Sequence, residues 1–282
     1  MADERDEEAA PRVQENPGEP AAASFVYALG QIDLRFPSMG VEREFAQAST
    51  RVDVDELTAQ EERRLVKAVL SDGDHRYLAR QVCWVFLIEG FESYIVLPRD
   101  PADFALLIET YRESPDPHGV DVLIGTLGQT APSEACAGMA LPIVAFDELY
   151  SFDRGTFVDA IPRPESVADD GQFRGVAARV FDRIVHMANN AGMTDEHRAL
   201  NYLAMRYPQI YAAAARQDAG GASLSGLAVR RSPLSSMRTV VDVIFSYSRP
   251  ESDIPDRQFV RVDVSDQHPF LATGMAPYYE PL

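Results

Sequence analysis

The densest apolar run of the chain predicts two adjacent strands. Every residue at 82–88 is apolar, and after Glu89-Gly90 the apolar pattern resumes at 91–97. Runs of this length, rich in Val, Ile, Phe and Tyr and broken by a glycine turn, are typical of buried strands. Two prolines end the run, and Asp103 is suited to cap a following helix. We expect this stretch to form the centre of the sheet.

Shorter apolar patterns on both sides of this run predict further strands and helices. Four segments precede it, at 25–30 (a strand or short helix), 32–36 (a strand), 40–48 and 57–70 (both helices). Four follow it, namely a helix from Phe104, strands at 120–125 and 141–146, and a helical turn at 156–161. Helices that alternate with short apolar strands favour a mixed α/β or α+β sheet.

Farther along the chain, the apolar positions change to a helical period. Val176, Val180 and Ile184 are four residues apart and therefore share one helix face. Thr194 is suited to cap a second helix, and Pro208 should kink or divide that helix. This region predicts a helical pair.

The C-terminal region returns to a period of two. Strands are predicted at 237–247 and 258–264 after a flexible loop that begins at Gly220, and the last fourteen residues should pack back on the domain. In the second strand, alternating valines face one way, whereas Arg261 and Asp263 face the other. This alternation indicates a hairpin in a sheet with one wet face.

Together these elements predict an α+β fold with a mixed or mainly antiparallel central sheet, flanking helices and a C-terminal β-hairpin. Residues 24–282 are expected to form a single folded domain. Residues 1–23 carry seven acidic and two basic residues and only one large aliphatic side chain after the initiator Met, that of Val13. Because so little apolar surface cannot offset the entropy of ordering, we predict a disordered acidic tail there.

Composition limits the classes of partner. The net charge is -18, with 44 acidic and 26 basic residues. Such a surface repels phosphate groups, so neither a nucleic acid nor an anionic membrane is an expected partner. No segment is long and apolar enough to span a membrane, and the N-terminus shows no secretory signal. Two cysteines cannot build a disulfide framework and indicate a reducing compartment. These features predict a cytoplasmic protein.

Known catalytic motifs are not recognisable in the sequence. Gly221–Gly226 misses the spacing of a nucleophile elbow, and Gly125–Gly128 lacks the remainder of a phosphate loop. Cys83 lies within the apolar run and should be buried. Cys136 lies in a polar loop and is a candidate catalytic thiol. The cysteines and the five histidines could also form a dispersed zinc site, although no ligand spacing supports one.

Three groups of polar or aromatic residues are candidate binding residues. The first group opens a predicted helix and consists of Asp195, Glu196, His197 and Arg198. These residues are either acid–base catalysts centred on His197 or a capped first turn whose carboxylates suit the helix dipole.

The other two groups lie at the ends of predicted strands or of the chain. Arg99 and Asp100 follow a core strand. They form either an ion pair within a turn or part of a ligand site, because α/β sheets bind ligands at strand ends. Tyr278 and Tyr279 are aromatic candidates for an interface.

Five long blocks, in the same order along the chain, give a resemblance to a known family. They are FVYALGQIDLRFPSMGVEREFAQA, RYLARQVCWVFLIEGFESYIVLPRDPADF, GMALPIVAFDELYSFD, NNAGMTDEHRALNYLAMRYPQIY and VVDVIFSYSRPESDIPDRQFVRVDVSDQHPFLATGMAPYYE. They resemble the C-terminal domain of the cyanobactin (patellamide-type) maturation proteases, over roughly residues 24–282. That domain follows a subtilisin-like macrocyclase, and its own function is unknown. The subtilisin-like domain and its Asp, His and Ser motifs are absent here, so protease activity is not expected.

The resemblance implies a place in the biosynthesis of ribosomally made, post-translationally modified peptides. The first hypothesis is a non-catalytic accessory domain, without a cofactor, that binds a precursor peptide or a partner maturation enzyme. Exposed sheet edges could accept an extended peptide as an added strand. The alternatives are a cryptic enzyme that uses Cys136 or His197, with or without zinc, and a scaffold that forms a homodimer.

Overall fold

The computed structural model describes residues 24–49, 58–187 and 190–279, with only the backbone described at residue 253. The acidic segment 1–23 lies outside the described residues. Helices accompany two mostly antiparallel sheets, so the predicted α+β class is confirmed.

The first sheet closes into a small barrel in the order β1-β2-β3-β5-β4. Its strands are β1 (Ser24–Arg35), β2 (Cys83–Ile88), β3 (Phe91–Pro98), β4 (Gly119–Thr130) and β5 (Pro142–Asp153). The β3–β5 pair is parallel and the other pairs are antiparallel. The predicted strands β2 and β3 are confirmed, but they are not the centre of the sheet, because every strand of a closed sheet has two neighbours.

Three helices cover the barrel, namely α1 (Met39–Ala48), α2 (Ala59–Ser71) and α3 (Phe104–Thr110). Thr58 and Glu61 form a capping box at α2, which explains why that helix begins where it does. Asp103 occupies the N-cap position of α3, but its side chain makes no capping hydrogen bond. The side chain of Asp100 accepts from the Ala102 amide instead and starts the short turn before α3.

The second half of the chain places four helices before a second sheet. The helices are α4 (Arg154–Ala160), α5 (Asp170–Val185), α6 (Asp195–Arg206) and α7 (Gln209–Ala219). The hydroxyl of Thr194 accepts from the His197 amide at 3.2 Å, so the predicted cap is confirmed. Pro208 lies between α6 and α7, and the predicted division of this helix is also confirmed.

The second sheet has four antiparallel strands in the order β6-β7-β8-β9. They are β6 (Ser223–Arg231), β7 (Val240–Arg249), β8 (Ser252–Asp263) and β9 (Phe270–Pro277). The predicted hairpin is the central pair, β7 and β8. The two outer strands were missed: the expected flexible loop contains β6, and the expected packing tail contains β9. Both are poor in β-branched residues, which is why their sequences do not indicate strands.

The second sheet has one face on the helices and one face turned outward. Its alternating valines join the core formed with α5, α6 and α7. On the opposite face, Arg261 pairs with Asp242 at 2.9 Å, and Arg238 pairs with Asp263 at 2.7 Å. The predicted placement of the charged residues opposite the valines is therefore confirmed, but the face is only partly exposed, because both carboxylates are buried.

Residues 190–192 connect the two halves through strand β1. The Tyr27 amide donates to the Gly192 carbonyl at 2.9 Å, and the Asn201 side chain donates to the Tyr27 carbonyl at 2.8 Å. Gly192 has a φ of 74°, and a Cβ at this position would lie 2.4 Å from the Tyr27 carbonyl oxygen. Only glycine fits here without displacing β1.

Cys83 and Cys136 form a disulfide, with 5.5 Å between their Cα atoms. The expectation that they are unpaired is therefore wrong, and the argument from unpaired cysteines for a reducing compartment no longer holds. The loop between β4 and β5 folds back onto the start of β2, a proximity that a sequence separation of 53 residues does not reveal.

Among the helices of the described ranges, none combines the length and apolar composition needed to cross a membrane.

Candidate functional site

Arg198, one of the predicted site residues, is an internal connector. Its side chain is buried, donates to the carbonyls of Val264 (2.9 Å) and Asp266, and lies over the Phe25 ring at 5.3 Å. Its ion pair with Asp195 is longer, at 3.4 Å. These contacts hold α6 against the loop between β8 and β9 and against β1, although the buried Nε atom of the guanidinium has no hydrogen-bond partner among the described residues.

His197 lies beside Arg198 in the first turn of α6. Its ring is half-buried, and within the described chain the Nδ1 atom is buried without a hydrogen-bond partner. Burial lowers the pKa of His197 because it disfavours the imidazolium, although the charge of Glu196 opposes this effect. A capped turn with a partly desolvated ring explains the cluster without an acid–base role.

The lowered pKa of His197 predicts acid sensitivity. Because the unfolded chain binds this proton at a higher pH than the folded chain, stability should fall as the pH drops below about 6.5, the ordinary value for histidine. Thermal unfolding at pH 7.5 and pH 5.5 checks this. We expect a smaller difference between the two melting temperatures in His197→Gln, and an identical difference in variant and parent would contradict this assignment.

Cys136 offers no thiol for catalysis or metal binding, because it is bonded to Cys83. The disulfide therefore removes both sulfur ligands from the dispersed zinc site. Within the described ranges, no group of three or more His, Cys, Asp or Glu side chains is placed to hold a metal ion.

Arg99 belongs to a polar connection between the barrel and the second sheet. Its guanidinium pairs with Asp147 at 2.8 Å and donates to the Thr126 hydroxyl at 2.6 Å. Asp147 also accepts from Gln267 at 2.8 Å. The hydrogen bond between Asp147 and Gln267 joins the two halves of the chain. This group is therefore a structural contact.

The C-terminal tyrosines lie on the outward face of the second sheet. Tyr278 packs edge-on against Phe259 at 5.7 Å between ring centres, and its hydroxyl lies 3.5 Å from the Arg230 guanidinium. The Tyr279 side chain is 82% exposed. Arg198 directly, and Arg99 through Asp147, thus contact the same loop between β8 and β9, at Asp266 and Gln267, whereas Tyr278 packs on the outward face of the second sheet.

A more coherent site lies along β6, an outer strand of the second sheet. Within the described residues, β6 pairs with β7 on one side and has no strand on the other. A bulge at Ser225, where the pairing shifts between Leu224 and Gly226, marks the start of the regular edge. An outer strand with unpaired amides and carbonyls is a template for another extended chain.

The pairing register shows which backbone groups of β6 face outward. The Ser232 amide donates to the Val240 carbonyl at 2.8 Å, so this pair is hydrogen-bonded, and such pairs alternate along an antiparallel ladder. It follows that the amides and carbonyls of Leu227, Val229 and Arg231 point away from β7. These six polar groups form the open edge, a name kept below for residues 226–231.

The opposite outer strand, β9, is closed by comparison. The Tyr207 hydroxyl accepts from the Met275 amide at 2.9 Å and would lie 3.2 Å from a Cβ added at Gly274. A side chain from between α6 and α7 therefore occupies the outward side of β9. The Met275 amide of β9 is therefore already occupied by a side chain of the same chain.

Arg183 of α5 closes one end of the open edge. Its guanidinium donates to the Ser225 carbonyl at 2.8 Å and to the Leu224 carbonyl at 3.4 Å. Beside it, α5, α7 and the start of β6 enclose a mainly apolar pocket of about 270 Å³, with Val176, Val180 and Leu224 in its wall. The site thus combines backbone groups for an extended chain with a recess suited to one apolar side chain.

This site was not found from the sequence, although one signal was present. The nearby Gly221–Gly226 does not fit a nucleophile elbow, and the glycines at its start predict a flexible loop over the residues that form β6. The alternation of Leu227, Val229 and Arg231 with Ala228 and Arg230 is a weak period-two pattern. It would have indicated a half-exposed strand, but not whether that strand lies at an edge.

Comparison with known proteins agrees with the resemblance seen in the sequence. The family model for PatG C-terminal matches residues 167–278. A solved structure described as PatG Domain of Unknown Function matches with a TM-score of 0.68 and 20% identity, over 90% of this chain and 98% of that chain. No curated protein matches the sequence. The family match spans α5, α6, α7 and the whole second sheet, and the solved structure shares the fold.

Proposed function

We propose that this PatG C-terminal domain is a non-catalytic recognition module that binds an extended peptide segment at the open edge of β6. The family match is consistent with a cyanobactin (patellamide-type) pathway. In that context the bound segment would belong to a precursor peptide or to a partner maturation enzyme.

One observation carries the proposal, namely that the outward side of β6 has no strand partner within the described part of the chain. An added strand forms backbone hydrogen bonds with Leu227, Val229 and Arg231 and so gains affinity without requiring a fixed sequence. Such tolerance suits a module that must accept peptides of different composition. The pocket beside Arg183 adds selectivity through one apolar side chain of the ligand.

The proposal predicts that Val229→Pro weakens peptide binding about tenfold or more. Proline removes the outward amide of residue 229 and places its ring where the added strand would lie, yet the hydrogen bonds from β6 to β7 remain. The loss of one such bond, together with the steric block, accounts for a change of about 1.4 kcal/mol. Calorimetric titration with pathway precursor peptides and partner enzymes measures it.

Val229→Ala is the matched control, because it removes a similar part of the side chain and keeps the amide. It should bind like the parent chain, and the melting temperatures of both variants report whether the fold is intact. The absence of binding by the parent at high micromolar concentrations would refute the proposal. Equal binding by the proline and alanine variants would place the peptide elsewhere.

Hydrogen exchange gives a direct readout of the same edge. In the free protein, the amides of Leu227, Val229 and Arg231 should exchange faster than those of Ala228 and Arg230, and a bound peptide should slow the first group selectively. If the amides are protected without peptide, and light scattering shows a dimer that Val229→Pro dissociates, the edge pairs two copies of this chain. That result would contradict the recognition role and support a scaffold role.

A further inference from the structure

The charges around the open edge differ from those of the chain as a whole. The sequence carries a net charge of -18, so most of its surface repels an acidic partner. Near the open edge, however, lie three exposed arginines. Arg183 lies at its start, and Arg230 and Arg231 lie at its end.

None of these three arginines pairs with a carboxylate among the described residues. Arg183 donates to two backbone carbonyls, Arg230 approaches the Tyr278 hydroxyl, and Arg231 donates to the Ser235 hydroxyl at 3.2 Å. Guanidinium groups that lack an anionic partner remain available to one supplied by a ligand.

Three carboxylates on neighbouring elements are already engaged by other arginines. Asp242 lies opposite Arg230 in the strand pairing, but Arg261 holds its carboxylate at 2.9 Å. Asp218, at the apolar pocket, pairs with Arg179 at 3.1 Å. Asp182, next to Arg183 in sequence, is held by both arms of Arg154. The positive charge at the two ends of the edge is therefore not cancelled locally.

We propose that the open edge selects acidic peptides, with carboxylates placed to meet Arg183 at one end and Arg230 and Arg231 at the other. This inference rests on the proposed recognition function and adds the chemical class of the ligand. An extended segment of about six residues spans 226–231, at about 3.3 Å per residue. Acidic residues at both of its ends and apolar or β-branched residues between them match the edge, the pocket and the charges.

Three acetylated and amidated octapeptides test the inference, with the sequences ETVTVTVE, QTVTVTVQ and KTVTVTVK. They differ only in the charge of the end residues. At about 20 mM salt we expect the acidic peptide to bind roughly tenfold more tightly than the neutral one, since each exposed ion pair contributes modestly. The preference should shrink several-fold at about 300 mM salt, where the screening length falls below about 6 Å.

The double variant Arg183→Gln/Arg231→Gln should remove most of the difference in affinity between the acidic and the neutral peptide. Arg43→Gln/Arg64→Gln, which likewise removes two exposed arginines but from α1 and α2, is the matched control and should leave the preference unchanged. Equal binding of acidic and neutral peptides at low salt, or tighter binding of the lysine peptide, would overturn the charge selectivity and leave strand addition intact. If none of the three peptides binds, strand addition itself fails and the inference fails with it.

Discussion

Removal of the Cys83–Cys136 disulfide is expected to lower the free energy of unfolding by about 4 kcal/mol, from the entropy of a closed loop of 53 residues. The bond fixes the loop between β4 and β5 to the start of β2. Without it, the unfolded chain gains freedom that folding must again remove. The measurement is denaturant unfolding of the parent chain and of Cys83→Ala/Cys136→Ala.

Reductant provides the internal control for this prediction. The parent chain with reductant should approach the stability of the double variant, whereas the variant itself should not respond. Thiol counting by mass spectrometry must first show that the oxidised chain has no free thiol. Two free thiols in the purified protein, or equal unfolding curves with and without reductant, would show that the bond does not contribute.

Asp121→Ala is expected to cost about 3–5 kcal/mol, because it leaves a partly buried arginine without its partner. The Asp121 carboxylate is fully buried on β4 and accepts from both arms of Arg112, at 2.6 and 2.9 Å. It also accepts from the Ile32 amide at 2.6 Å and from the Ser151 hydroxyl at 2.7 Å. One side chain thus joins β1, β4 and β5 to the segment after α3, and its loss leaves several donors unsatisfied.

Asp159→Ala is the control for Asp121, since that carboxylate is more than half exposed and pairs with Arg174 at 3.3 Å. Its removal should change the free energy of unfolding by less than about 1 kcal/mol. Arg112→Met combined with Asp121→Ala should recover part of the loss by removing the unpaired cation. A loss below about 1 kcal/mol for Asp121→Ala alone would mean that water reaches the Arg112 guanidinium.

Much of the local structure follows from the sequence. The apolar run at 82–88 and its glycine turn became β2 and β3, Thr194 caps α6, and Pro208 separates α6 from α7. The alternation of valines in β8 also predicted correctly which side chains of that strand face the core. These features depend on side-chain periodicity, capping and missing amide donors, which act between residues close together in the chain.

The candidate site required information that local patterns do not contain. Leu227 and Val229 look like ordinary half-exposed strand residues, and only the strand order shows that their outward amides have no partner among the described residues. The group Asp195–Arg198 gave the opposite result. It looked like the best polar cluster in the sequence, but Arg198 faces inward to the Val264 carbonyl.

The sequence by itself determined the class of fold, most of the helices, strands β2 and β3 of the first sheet, the central pair β7 and β8 of the second sheet, and the resemblance to the PatG C-terminal domain. Tertiary structure decided that the first sheet closes, that Cys83 meets Cys136, and that β6 ends the second sheet with an outward side that no described strand pairs. The physical reason is the range of the interactions. Periodicity and caps are set within a few residues, whereas closure, disulfide pairing and the exposure of an edge depend on which distant segments meet when the chain is folded.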